Sequence, residues 1–247
     1  MRKIIILALA SIISFHSVKA QPFTKLDQNS IVKDSLGNTI PYAVWNQLLM
    51  TGRFKLKTEK KENPEFILSR ISDEEYEKKL ETAPKPKESN FFRTGNKFGH
   101  FKTTDINGNK INTKNLPGKI IVLNYWFIKC PPCVREMPEL NHLVETYKTD
   151  SSIVFIAIAL DQKYDLEQFL KTTRFEYTIV DEGRFIADQN KITSYPTNVV
   201  IDQQGKVYFH SSGLFINTAY WIKKSIEELR AKQENKIASA EKPKDDN

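Results

Sequence analysis

The stretch that most limits what this chain can fold into runs from residue 120 to residue 144. An apolar segment, Ile120 to Phe127, leads into Cys130-Pro131-Pro132-Cys133. Apolar residues then recur at helical spacing, at Val134, Met137, Leu140, Leu143, Val144 and Tyr147. The pattern predicts a strand that delivers two cysteines to the first turn of a helix ending near Lys148. Pro131 suits that first turn, where its missing N–H has no intrahelical partner to lose. Pro138 falls within the helix and is expected to kink it. The chain of 247 residues has 2 cysteines, and both are in this motif.

A pair of cysteines three residues apart can serve several chemistries. A zinc site needs two more ligands, and His100, His142 and His210 show no paired spacing. Covalent haem attachment needs a histidine after the second cysteine, where Val134 stands. A purely structural bridge closing so short a loop constrains the unfolded chain little. The reading that fits is a redox pair that works without metal or organic cofactor. A thiolate attacks disulfides, and a cysteine at a helix N-terminus has its pKa lowered by unpaired amide donors. Cys130, expected at that terminus and open to solvent, is assigned as the attacking cysteine. Cys133 is assigned as the resolving one.

The chain ends carry different signals. Arg2-Lys3, the apolar run Ile4 to Phe15 and Val18-Lys19-Ala20 read as a secretory signal peptide cleaved after about Ala20, with an uncleaved N-terminal anchor as the alternative. Export implies a compartment where disulfides persist, most simply the periplasm. The formal net charge is +7. Part of that excess lies in Arg2, Lys3 and Lys19, and no basic patch with interleaved aromatics occurs, so nucleic acid is not an expected partner. Residues 233–247 are charged, lack aromatics and are expected to be disordered.

Between these ends, residues 21–95 read as an N-terminal extension. It includes a turn at Asp34 to Asn38, an apolar segment from Tyr42 to Met50, a solvated charge run from Lys55 to Glu62, and a helix to Leu80 opened by a Ser72/Glu75 capping box. The Pro- and Lys-rich stretch 83–87 reads as a linker, with the domain boundary near 84–95. Residues 96–232 follow as the main domain. A hairpin is expected over 101–111, with Asn107-Gly108 supplying positive φ angles. A strand is expected over Ile153 to Leu160, a helix over 164–172, a short strand over 177–180 and a short helix or turn over 185–190. Strands at Thr197 to Ile201 and Val207 to His210, then a closing helix from Thr218 to Lys232, complete an α/β domain with a mixed sheet flanked by helices.

Two further features sharpen the reading. Trp126-Phe127 precede the cysteine motif, and Tyr195-Pro196-Thr197 enters a strand downstream of it. With Trp126-Phe127-x-x-Cys130-Pro-Pro-Cys133, this segment resembles the thioredoxin fold, and more narrowly the exported TlpA/ResA-like thiol–disulfide oxidoreductases. The resemblance implies a cis Pro196 facing the cysteines and partner contacts at Trp126, Tyr195, Pro196 and Thr197. It also implies protein thiols or disulfides as substrates, an upstream electron-donor thiol protein at the membrane, and, as one role, reduction of cysteines ahead of haem attachment to c-type cytochromes. Trp126 also reads as packing beneath the site. Glu136 stands where ResA-like proteins carry an active-site acid, which makes it a candidate proton carrier; as a plain helical position it would be a solvated glutamate. Asn124 stands where thioredoxins carry a buried aspartate, which moves the proton task toward Glu136 or water. Lys129 and Arg135 flank the pair. A thioredoxin-fold peroxidase is the first alternative, although Phe127 occupies the position of the threonine that peroxiredoxins use. A non-catalytic docking module is the second.

Overall fold

A computed structural model describes residues 26–58 and 65–240. The signal-peptide expectation for residues 1–20 lies outside them. The described chain falls into two compact units. The first comprises the described residues up to Gln47 together with Lys55–Ser69, and the second comprises Leu48–Phe54 and the chain from Arg70 onward.

In chain order the strands are β1 (Val32–Lys33), β2 (Phe54–Thr58), β3 (Phe66–Arg70), β4 (Lys102–Thr104), β5 (Lys110–Asn112), β6 (Ile120–Trp126), β7 (Ile153–Ala159), β8 (Thr178–Val180), β9 (Thr197–Ile201) and β10 (Val207–Ser212). The helices are α1 (Tyr42–Met50), α2 (Asp73–Thr82), α3 (Pro131–Thr146), α4 (Lys163–Leu170), α5 (Arg184–Gln189) and α6 (Thr218–Ala240). The first unit holds a small sheet of order β1-β3-β2, with Val32, Trp45, Phe66 and Leu68 buried. The strand β2 replaces the start of the expected charge run. Its exposed Lys55 and Lys57 alternate with half-buried Phe54 and Leu56, a period-two pattern that the density of charge masked.

The second unit is built on a five-stranded sheet of order β10-β9-β6-β7-β8. β6, β7 and β8 are parallel, while β9 runs antiparallel to β6 and to β10. β6 is central and buried along its whole length. Alternation of its side chains divides the core in two. Ile120, Val122 and Trp126 face one cluster with Met137, Leu140 and Leu143 of α3 and Ile222, Ile226 and Leu229 of α6. Ile121, Leu123 and Tyr125 face a second with Ile186 and Ala187 of α5 and with Phe98 and Phe101. Asn124 falls on the α3 side by the same alternation.

Several expectations are corrected. The closing helix does not stop at Lys232, and the tail is not irregular from residue 233, because α6 continues to Ala240. Glu234, Lys236 and Ala238 are good helix formers, and no proline or glycine interrupts them before Pro243. The β4–β5 turn uses a positive φ only at Gly108, not at Asn107. Asp105 instead accepts from the N–H groups of Asn107 and Asn109, at 2.9 and 2.8 Å, and closes the turn with its side chain. Pro138 lies inside α3 as expected, and the helix continues past it to Thr146.

The expected linker is seated on the main sheet rather than free. Asn217 Nδ2 lies 3.3, 3.2 and 3.1 Å from the carbonyls of Leu80, Ala83 and Pro84. Ser89 N–H donates to buried His210 Nδ1 at 3.0 Å. Ser72 Oγ caps α2 by accepting from Glu75 N–H, and α2 buries Tyr76 and Leu80 beside Ile71 and Tyr220. Gly52, at φ +73°, brings the preceding turn close to Ile216 and Tyr76, and Lys79 Nζ donates to its carbonyl at 3.0 Å. The unit that holds the cysteines therefore includes 48–54 and begins again at Arg70, upstream of the expected boundary.

Leu123, fully buried on the face away from the cysteines, tests how far the unit depends on β6. Leu123→Ala is expected to cost about 2–5 kcal/mol through lost transfer energy and a residual cavity. Denaturant unfolding of the full chain measures it.

Candidate active site

β6 ends at Trp126, and the chain turns through Phe127 to Lys129 before α3 begins. That turn is pinned from the neighbouring strand. Asp161, just after β7, accepts from the Ile128 N–H at 2.8 Å. Cys130 is the N-cap of α3, its Sγ accepting from the Cys133 N–H at 3.3 Å, and Pro131 opens the first turn. The two cysteines form a disulfide, with S–S 2.04 Å and Cα–Cα 5.3 Å. An N–H aimed at Cys130 sulfur, at a helix N-terminus, favours negative charge there once the bridge is opened.

The expectation that Cys130 is open to solvent is not met. It is 3% exposed, because Phe127, Ile128 and half-buried Tyr195 pack around the cluster that contains it. The Tyr195 ring meets Phe127 edge-on at 5.4 Å.

The Tyr195–Pro196 peptide is cis. Pro196 is buried, and its carbonyl accepts from Gly213 N–H at 2.8 Å. Among the described residues, no hydrogen bond engages the Tyr195 N–H or carbonyl. Thr197 is fully buried. Its hydroxyl donates to the Ser194 carbonyl at 2.8 Å and meets Ser212 Oγ at 3.0 Å, so its side chain braces the loop from inside. Trp126 is likewise fully enclosed, against Phe169 at 5.6 Å and Phe175 at 5.4 Å. Of the four residues expected at the partner surface, Trp126 and Thr197 thus lie inside, and Tyr195 offers ring and backbone. The reason is geometric: strand positions within a two-sided core have no outward face.

Glu136 lies one turn after Cys133 on α3 and is 5% exposed, not a solvated helical glutamate. Its carboxylate receives two amides. Asn124 Nδ2 lies 2.7 Å from Oε1, and Asn198 Nδ2 lies 3.2 Å from both Oε1 and Oε2. Burial pushes its pKa up to about 8, against the opposing pull of the Asn198 and Asn124 hydrogen bonds. Asn124, where a thioredoxin aspartate would stand, therefore serves the carboxyl group that replaces it.

Asn198 and Asp161 were not anticipated from the sequence. Asn198 had a readable signal, a lone amide in the strand Thr-Asn-Val-Val-Ile, where burial demands a partner. Asp161 had only its place after an apolar run. Lys129 and Arg135 are both exposed on the flanks.

The raised pKa has a consequence for stability. Glu136 binds its proton more tightly folded than unfolded, so its contribution is full below about pH 4.5 and declines as pH rises to about 8. Glu136→Gln removes that decline. The variant is expected to gain stability relative to the parent across this window, by on the order of a few kcal/mol at pH 8. Unfolding curves at pH 5 and pH 8 measure the difference.

Comparison with known proteins agrees with this geometry. A family model described as the AhpC/TSA family matches residues 94–210. The thiol–disulfide oxidoreductase ResA of Halalkalibacterium halodurans is 31% identical over 134 residues, covering 51% of this chain and 76% of that protein. ResA of Bacillus cereus is 34% identical over 115 residues, covering 46% of this chain and 66% of that protein. A structure from Chlorobium tepidum, assigned as a thiol:disulfide interchange protein DsbE, superposes with a TM-score of 0.51 at 22% identity, over 56% of this chain and 98% of its own; it supports the fold. On the strength of the ResA matches, and with a helix-capping cysteine pair and a cis-proline on the same thioredoxin-type sheet, this chain belongs to the ResA-like thiol–disulfide oxidoreductases.

Proposed function

We propose that this protein reduces protein disulfides through the Cys130–Cys133 dithiol, with Cys130 attacking and Cys133 resolving. The observation that carries the reading is Cys130 Sγ at the N-cap of α3, accepting from an N–H, with its partner sulfur one turn inside. Both sulfurs are buried, Cys130 at 3% and Cys133 at 1% exposure, so a partner sulfur meets the capping Cys130 once the Phe127–Tyr195 contact gives way, and Cys133, one turn inside, closes the ring onto it. Tyr195, beside the cis peptide, leaves backbone groups for an extended partner segment, the way a strand edge recruits a peptide. Trp126, Pro196 and Thr197 support that edge from within. Glu136 is the proton carrier for the resolving sulfur, being buried, one turn away, and holding a pKa in the working range of a general base.

Residues 1–20 are read as an export signal, which puts the protein in the periplasm, either released after about Ala20 or held by an uncleaved anchor. Among the described residues, no helix is long and apolar enough to cross a membrane. The electron donor is then a thiol protein at the membrane, and reduction of cysteines before haem attachment to c-type cytochromes is one task within reach of the site. No cofactor or metal is needed for the cycle. The domain plan proposed with it is a cleaved leader, a small N-terminal unit, and a redox unit that takes in 48–54 and runs from Arg70 through α6.

A peroxidase is the reading to exclude, since the AhpC/TSA model spans the same residues. Phe127 offers no hydroxyl to a peroxide, and the docking-module alternative leaves the cysteine pair without work. On mature protein, Cys130→Ser is expected to bring reduction of insulin or a peptide mixed disulfide to background. Cys133→Ser is expected to accumulate a covalent adduct through Cys130, visible by mass. Turnover that survives Cys130→Ser defeats the assignment, and rapid hydrogen peroxide consumption by the reduced parent in stopped flow favours the peroxidase.

A further inference from the structure

One turn along α3 from Cys133 is a polar cluster built from three side chains on three different elements, each buried. Asn124 on β6 is 1% exposed, Asn198 on β9 is 0% and Glu136 on α3 is 5%. Asn124 and Asn198 are register partners on adjacent antiparallel strands. Their neighbours on the same face, Val122 and Val200, are apolar and fully buried, so the amides interrupt an otherwise apolar surface.

With Glu136 ionised, the hydrogen bonds within the cluster have one consistent assignment. Asn124 Nδ2 donates to Glu136 Oε1 and, at 2.9 Å, to Asn198 Oδ1. An amide nitrogen carries two hydrogens, and both are spent. Because Asn198 Oδ1 is occupied by Asn124, its Nδ2 is turned toward Glu136, where it spans both carboxylate oxygens. The opposite flip of Asn198 would set donor against donor at Asn124 and acceptor against carboxylate at Glu136. The cluster therefore presents donors alone to the carboxyl group. Donors favour its charged form, and the surrounding apolar core opposes that form.

We propose that Asn198, oriented by Asn124, is a positioning residue for Glu136: it fixes the carboxyl group behind Cys133 and eases its charging while the Cys133 proton is in transit. The inference rests on the reading of Glu136 as proton carrier and adds how that carrier is held. The cycle it serves balances as follows. Cys130 thiolate attacks one sulfur of a partner disulfide, forming the mixed disulfide and expelling the other partner thiolate, which takes a proton from solvent. Cys133 gives its proton to the Glu136 carboxylate, and its sulfur attacks Cys130 Sγ. The Cys130–Cys133 bond forms, the bond to the partner breaks, and the second partner thiolate leaves to be protonated from Glu136 or solvent. Two electrons and two protons pass from the dithiol to the partner.

Other charged or titratable groups face Glu136 from the elements around it, and the test must separate them. On α3 they are Cys133, Arg135 and Glu139. Tyr177, just before β8, has a buried hydroxyl whose own pKa is raised by burial and by the Glu136 charge. A cavity of about 190 Å³ beside Glu136 is lined also by Arg53, Tyr76, Arg135 and Glu139. Arg53 is committed to Glu139, with Nε 3.1 Å from Oε1, and sits 4.0 Å from the Tyr76 ring centre. None of these groups hydrogen-bonds the Glu136 carboxylate, so a change at Asn198 acts on Glu136 without disturbing a direct contact from them.

The experiment follows the Glu136 carboxyl by isotope-edited infrared titration in the full chain, oxidised and reduced, together with the pH profile of mixed-disulfide resolution. Asn198→Leu is expected to raise the Glu136 midpoint by about one pH unit, a tenfold change in proton affinity, and to shift the resolution profile equally toward alkaline pH. Asn198→Asp keeps the shape of the side chain and is expected to split the titration into two steps, because two carboxyl groups then share the site. If both variants keep the parent midpoint and profile while Glu136→Gln alters the profile, the positioning role of Asn198 is wrong and the carrier reading stands. If Glu136→Gln leaves the profile unchanged, the carrier reading fails and the positioning role falls with it.

Discussion

The register between β6 and β9 decides this site. Asn124 pairs with Asn198 and Tyr125 with Thr197, so the end of the strand that leads to Cys130 lies beside the start of the strand that leads away from cis-Pro196. A slip of one residue would turn Asn198 to the opposite face and put Val199 against Glu136. It would also shift Pro196 along the end of β6. The hydrophobic pattern guards against that slip, because Val200 belongs to the α3 cluster and Val199 and Ile201 to the other. The apolar residues of β9 thus hold in place the one amide that has no packing reason to be there.

The same register explains why a carboxyl group is tolerable in the core. A buried ionised carboxylate without partners is expensive, and proteins avoid it by neutralising the group or supplying donors. Here both remedies are partly applied. Two amides lower the cost of the charge, and burial keeps the pKa raised to about 8. A third or stronger donor would fix the group as a carboxylate, and a purely apolar pocket would fix it as an acid. The balance leaves a group that exchanges its proton near neutral pH, which is the condition for serving a thiol whose ordinary pKa is about 8.5.

Much of this was legible in the sequence because local pattern and tertiary role coincide. Ile120 to Trp126 reads as a buried strand and is one, and Pro131 and Ser72 start helices where their chemistry says they should. Illegible were features set by packing between distant segments. Cys130 is expected in the open because a helix start after a loop is usually wet, yet Phe127 and Tyr195 meet each other and pack on the cluster that holds it. Trp126 and Thr197 flank the motifs but point inward, since a strand in the middle of a layered core has solvent on neither face. Glu136 could be read as surface or site with equal ease until Asn198, 62 residues away, was seen to meet it. The charged C-terminal stretch was misread for a different reason: composition that lacks a hydrophobic stripe argues against packing, but does not by itself break a helix already running.

The proline-rich stretch 83–87 ties the edge of the redox unit to the same scaffold. Pro84 and Pro86 cannot join a helix or a sheet ladder, so their neighbours' carbonyls need donors from elsewhere. Asn217, immediately before α6, supplies one amide to three carbonyls at the end of α2, and His210 on β10 takes the Ser89 N–H. The His210–Ser89 bond requires an unprotonated Nδ1, and burial lowers the His210 pKa accordingly. Lys85 lies over the Trp221 ring at 5.2 Å. Each of these anchors belongs to an element that also builds the main core: β10 borders β9, and α6 packs Ile222 and Ile226 against the same cluster as the cysteines. The stretch 70–95 is therefore held by the scaffold that places Asn198 and Pro196. Cutting the chain at residue 95 would uncover Tyr220 and leave Asn217 and His210 without partners, so the extension cannot be treated as a detachable arm across its whole length.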